Sequence, residues 1–148
     1  DPLRVAGPHL VPAVDLMGVP WGAFPQPLLE FWTQRHLCTL TTLRADGRPH
    51  VVPVGVVLDH DQRCAWVITR RTSVKARHLA TLAPVAACQV DGGRWSTIEG
   101  HGVVAADADS VARAVELYAA RYRQPKPNPE RVALRIEVDR VLSSSAFT

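Results

Sequence analysis

Lysine is nearly absent from this chain: Lys75 and Lys126 are the only two among 17 basic residues, and the rest are arginine. Aromatic residues make up only 6%, and the basic residues are scattered, so the basic groove with interleaved aromatics that nucleic-acid recognition requires is missing. Cysteine is scarce and odd in number. Cys38, Cys64 and Cys88 are widely spaced with no C-x-x-C pair, which disfavours a disulfide framework and fits small buried residues in a reducing compartment. No apolar stretch approaches the length needed to cross a bilayer, and the first residues carry no basic-then-apolar leader, which points to the cytoplasm and to no membrane partner. H-E-x-x-H, a G-x-G-x-x-G after a strand and G-x-x-x-x-G-K-[ST] are all missing, so zinc protease, Rossmann dehydrogenase and P-loop readings lose their usual support. No metal site is expected.

What is present is globular: 148 residues, 47% hydrophobic and 21% charged, with net charge +3, enough for one domain with a core. The arginine bias suits an acidic ligand and equally reflects the base composition of a genome. Residues 1–25 mix proline, glycine and isolated apolar residues and read as an extended N-terminal arm of the kind that packs on a partner subunit; residues 26–148 read as the domain. A short helix from Pro27 to about His36 presents Leu28, Leu29 and Trp32. Strands follow at Cys38–Leu43, Pro49–Leu58 and Cys64–Thr69, then Val85–Val90 and Trp95–Ala105, with turn signals at Asp46-Gly47, His60-Asp61 and Asp91-Gly92-Gly93. Asp109 can cap a helix running to Tyr122 with Val111, Val115 and Tyr118 on one face, and the proline-rich stretch 124–129 separates it from a last strand in which Val132, Leu134, Ile136 and Val138 alternate inward. The pattern predicts a mainly β, α+β architecture with short helices: a small closed barrel of six antiparallel strands.

The most informative segment is the turn from Thr69 to Leu79. Arg70, Arg71, Lys75 and Arg77 crowd the expected start of a short helix with Ser73 as N-cap and Ala76, Leu79, Ala80 and Ala83 facing inward. Cations at a helix N-terminus repel its partial positive charge, so the pattern points to an anion such as phosphate; a solvated basic loop is the alternative. His50 and His101 lie in strands and read as structural, whereas His78, near the basic turn, is equally an anion ligand or a packing residue. The pair Asp107 and Asp109 reads as helix capping. Ser73 beside Lys75 lacks a histidine or carboxylate relay, so it reads as a cap and phosphate donor and not as a nucleophile. Trp95, a large flat ring in polar surroundings, suits stacking on a planar cofactor as well as a core or interface role.

Three stretches, Arg48-Pro49-His50-Val51-Val52-Pro53-Val54, Thr69-Arg70-Arg71-Thr72-Ser73-Val74-Lys75 and Arg94-Trp95-Ser96-Thr97-Ile98-Glu99-Gly100, together with the order of elements, resemble the pyridoxamine 5'-phosphate oxidase-like, FMN-binding split β-barrels. More narrowly the chain is similar to the coenzyme F420 (deazaflavin)-dependent reductases of actinobacteria. Within them it resembles the biliverdin reductase branch through His36-Leu37, Leu40–Asp46, Gln89-Val90-Asp91-Gly92 and Arg121–Pro129. The similarity spans about residues 27–142. It implies a homodimer with cofactor at the subunit interface, Pro53 and Val54 along the tricyclic ring, and Thr69, Ser73, Val74 and Lys75 on the phosphate and ribityl chain. Trp95, where flavin-binding relatives commonly carry glutamine, would reach in from the partner, and Arg70 and Arg71 suit an acidic oligoglutamate tail. The implied activity is hydride transfer from reduced F420 to a conjugated acceptor, with biliverdin as the candidate, no catalytic side chain, and Arg77 or Arg123 pairing with substrate carboxylates. The alternatives are a non-catalytic F420, flavin or tetrapyrrole binder, and an FMN-dependent oxidase of the pyridoxamine phosphate type.

Overall fold

The computed structural model describes the backbone of residues 14–17 and residues 19 and 21–147. In chain order the elements are β1 (Val14–Met17), α1 (Gln26–Thr33), β2 (Cys38–Leu43), β3 (Pro49–Val54), β4 (Val57–Asp59), β5 (Cys64–Arg70), α2 (Val74–His78), β6 (Ala83–Asp91), β7 (Arg94–Ala105), α3 (Ala108–Arg121) and β8 (Arg131–Ser143), with a closing 3-10 turn at Ser145–Phe147. The sheet is antiparallel and runs β3-β2-β6-β7-β8-β5-β4, with β1 paired to β8.

This departs from the expected six-stranded closed barrel. The predicted strand Pro49–Leu58 divides at Gly55-Val56: its first half pairs with β2 and its second with β5, so the two end strands of the sheet are consecutive in the chain yet no ladder closes between them. The other addition is β1, drawn from the expected arm; the arm's residues 1–13, 18 and 20 lie outside the described residues. Val19 and Phe24 of the same stretch pack against the core.

The core fills the inside of the curled sheet. Leu40, Val67, Ile98, Leu134, Ile136 and Val141 come from the strands, and α1 contributes Leu28, Phe31 and Trp32 at helical spacing. The outer face of β4, β5 and β8 is covered by α3, so Cys64, Trp66 and Ala133 are buried as well and β5 reads as a continuous apolar run. Cys38 and Cys64 are buried thiols whose ionisation burial pushes up to about 11 and about 12, so neither is a nucleophile near neutral pH. Asp91 pairs with Arg94 across the predicted hairpin, whose two-residue turn places Gly92 at φ 61°.

One polar device caps the start of α3 and another ties the helix to the sheet. Asp107 and not Asp109 is its N-cap, accepting from the Ser110 backbone N–H at 3.0 Å. Asp59, fully buried, accepts from Arg113 at 2.9 and 3.0 Å, from the Trp66 indole at 3.0 Å and from the Gln62 N–H at 3.0 Å. Burial alone would raise its pKa, but these donors hold the carboxyl far below its ordinary range.

At the other end of α3, Arg121 is buried and donates to the carbonyls of Gln34 (2.9 Å) and Val56 and to Gln89 Oε1 (2.7 Å). Tyr122 donates to the His36 carbonyl at 2.6 Å and accepts from the Val56 N–H at 3.2 Å. Gly55 is required here: a Cβ would come within 2.8 Å of ring carbons of both Tyr118 and Tyr122. The end of α3, and the chain leaving it, is thereby fixed against the break between β3 and β4.

Candidate functional site

The site begins where β5 ends. Ser73 caps α2 as predicted, its Oγ accepting from the Ala76 N–H at 3.2 Å, and it accepts again from the Thr69 hydroxyl at 3.0 Å. With both lone-pair directions engaged, the Ser73 proton is left to donate outward. The helix is only five residues long, so Lys75, Arg77 and His78 fall in its last turn, and the predicted repulsion from a helix dipole contributes little. The helix ends before Ala80, which is exposed and not inward as expected; Ala76 and Leu79 are buried.

What draws an anion is instead the gathering of cations around a groove of about 560 Å³. One side is β5 and the start of α2, with Ile68, Thr69, Arg70, Ser73 and Lys75. The other is Tyr118 on α3 and the segment after it, with Arg123, Gln124, Pro125, Lys126, Asn128 and Arg131. Both lysines of the chain are here. Five of the lining residues are cationic and none is Asp or Glu. Among the described residues, Arg70, Lys75 and Arg123 have no carboxylate partner. The Lys75 ammonium is held below its ordinary pKa by burial first and by the Arg70 guanidinium second. Such a set of unneutralised charges beside free hydroxyl donors is stabilised by a phosphoryl or carboxylate ligand.

Of the residues singled out in the sequence, Thr69, Arg70, Ser73, Lys75 and Arg123 line this one groove. The others are not among its lining residues. Arg71 pairs with Glu130 at 3.1 Å, and Arg77 is exposed. His78 Nδ1 is 2.8 Å from the buried Thr42 hydroxyl, and its ring stands edge-on to that of His50, 5.4 Å away. Burial, then the charges of His50, Arg44 and Arg77, lower the His78 pKa and so favour the uncharged ring. His50, read as structural, keeps a buried Nδ1 without a partner, and His101 pairs with Asp139 at 2.8 Å. Pro53 is exposed on β3, Val54 is buried in the core and Val74 is half-buried. Trp95 is half-buried at the β6–β7 hairpin, where its backbone pairs with Ser144. Tyr118, Lys126 and Arg131 were not singled out as site residues; a tyrosine one turn before Tyr122 and a lysine inside a proline run were the available signals.

Among the described residues no helix is long and apolar enough to cross a membrane, and no cluster of three or more His, Cys, Asp or Glu could hold a metal ion.

A curled antiparallel sheet with a helix packed outside it and a cationic groove where a strand meets a short helix defines the class: the chain belongs to the pyridoxamine 5'-phosphate oxidase family, whose model matches residues 24–145. Within that family it is 46% identical over 117 residues to the F420H(2)-dependent biliverdin reductase of Mycobacterium tuberculosis, covering 79% of this chain and 85% of that one. The fold is shared with a conserved hypothetical protein of Mycobacterium tuberculosis (TM-score 0.68, 23% identity, 82% of this chain and 84% of that one). It is shared also with a protein described as an F420 reductase (TM-score 0.57, 20% identity, 76% and 93%).

Proposed function

We propose that this chain is an F420-dependent oxidoreductase that reduces a conjugated acceptor, biliverdin, to bilirubin. The observation that carries the reading is the acid-free cationic groove beside Ser73 and Lys75, in a chain 46% identical to a protein named F420H(2)-dependent biliverdin reductase. The donor set fits the group: coenzyme F420 carries a phosphoryl group and an acidic tail, and the groove offers cations and hydroxyl donors without a competing carboxylate. When bound in its reduced form, the cofactor supplies the hydride.

The chain's own residues bind and orient. Thr69, Ser73, Val74 and Lys75 hold the phosphoryl and ribityl portion, Ser73 with the proton that its two accepted hydrogen bonds leave free. Arg70 and Arg71 serve the acidic tail, Arg71 by exchanging its Glu130 partner for a tail carboxylate. Arg123 or Arg77 pairs with a carboxylate of the acceptor, and His78 supports the turn through Thr42. In this reading the protein is a cytoplasmic homodimer in which Pro53 and Val54 lie along the ring and Trp95 of the partner subunit covers it. The exposed Leu37, Leu43, Val51, Leu82 and Val90 supply apolar surface for such an interface. No side chain is a nucleophile, and a proton needed by the acceptor comes from solvent.

Stopped-flow mixing of F420H2-loaded protein with biliverdin tests this. Cofactor oxidation in step with loss of the biliverdin band is expected. Binding of both without oxidation would leave a carrier, and a purified protein yellow with FMN would point to the oxidase reading instead.

A further inference from the structure

Tyr118 and Tyr122 lie one turn apart on α3 with their rings 5.0 Å apart, yet their hydroxyls have opposite fates. That of Tyr122 is committed, donating to His36 and accepting from Val56. That of Tyr118 makes no hydrogen bond among the described residues and is not among the buried polar atoms, so it reaches solvent, and Tyr118 lines the cationic groove. The ring itself is held by the tilted contact with Tyr122 and by the bare Cα of Gly55, where a Cβ would fall within 2.8 Å of the Tyr118 ring. A phenol fixed at its ring and free at its hydroxyl, in a groove whose other side is spent on a phosphoryl group, is placed to meet a second reactant.

Resting on the reading of the groove as the F420 and acceptor site, we propose that Tyr118 is a ligand-contacting residue of the acceptor subsite. Its hydroxyl hydrogen-bonds a polar atom of a flat, acidic acceptor whose carboxylates are taken by Arg123 and Lys126, the cations that follow it along the same side of the groove. The substrate class is therefore a planar conjugated polyacid, and Tyr118 sets its position while Thr69, Ser73 and Lys75 set that of the cofactor.

The test is a titration of biliverdin into cofactor-free wild type and Tyr118→Phe, read by visible absorbance, with F420 affinity, Tm and steady-state constants measured alongside. The expected result is a loss of biliverdin affinity of about three- to tenfold, the range of one net neutral hydrogen bond, with F420 affinity and Tm unchanged. In turnover, KM for biliverdin rises while KM for F420H2 stays. Tyr122→Phe gives the contrast, losing Tm because its hydroxyl serves the fold. Equal biliverdin affinity in Tyr118→Phe overturns the assignment even if turnover proceeds, which leaves the F420 reading intact. Weakened biliverdin binding without F420H2 oxidation in the wild type supports Tyr118 and overturns the reductase reading. No biliverdin binding by the wild type overturns both.

Discussion

Replacing Lys75 by alanine separates a ligand-binding cation from a structural one. In the free protein this ammonium is partly buried and sits near Arg70, and both conditions disfavour its charge. Its removal therefore costs the fold little and relieves a repulsion, so Tm is expected to stay level or rise slightly. Binding is different. A hydrogen bond between charged groups contributes about 1.5–3 kcal/mol, and because the other cations of the groove partly compensate, the lower half of that range applies, a loss in F420 affinity of about 10- to 50-fold. Fluorescence titration of F420 into both proteins measures it, and two further readouts mark the mechanism. Wild-type affinity falls with added salt more steeply than that of the variant. It also falls as pH rises toward the Lys75 pKa, which lies below the ordinary lysine value, because a bound anion favours the protonated amine; the variant lacks that slope. Equal F420 affinity in the two proteins would refute the reasoning, as would a variant that binds poorly only because it has unfolded.

The remaining predictions concern what holds the groove's supports in place. Arg121→Leu removes the donor to the Gln34 carbonyl and the stronger of the donors to the Val56 carbonyl and the Gln89 side chain, and urea unfolding is expected to show a loss of about 3–5 kcal/mol. Asp59→Asn breaks the buried pair with Arg113 and is expected to cost about 3–5 kcal/mol at pH 7. Because the folded carboxyl is held far below its unfolded value of about 4, its stabilisation is complete above that pH and drains away as pH falls further, so the variant's acid-unfolding curve is flatter there than the wild type's.

How much of this was legible in the sequence depends on how local the cause is. The Ser73 cap and the Gly92 turn depend on residues a few positions apart, and both were read correctly. Capping is legible in the Asp107 and Asp109 pair, but either acid suits an N-cap, and only the register of the helix gives the role to Asp107 and not to Asp109. The division of strand 49–58 had its signal in Gly55, but the reason, two tyrosine rings arriving from α3, is tertiary. β1 is four residues long in a stretch rich in proline and glycine, and exists through its pairing with β8. Arg121 looks like an ordinary cation in a helix's last turn until the fold buries it. In the groove, the half supplied by Thr69, Arg70, Ser73 and Lys75 is contiguous and was found. Tyr118, Lys126 and Arg131 join it from about fifty residues away, and of that side only Arg123 was named.

The central claim is that cations gathered between the end of β5 and the segment after α3 receive the anionic part of a deazaflavin. Soaking crystals of the protein with F420 tests it most directly. The account predicts phosphoryl density within hydrogen-bonding distance of Ser73 and Lys75; phosphoryl density bound elsewhere, with this groove holding only water, would contradict it.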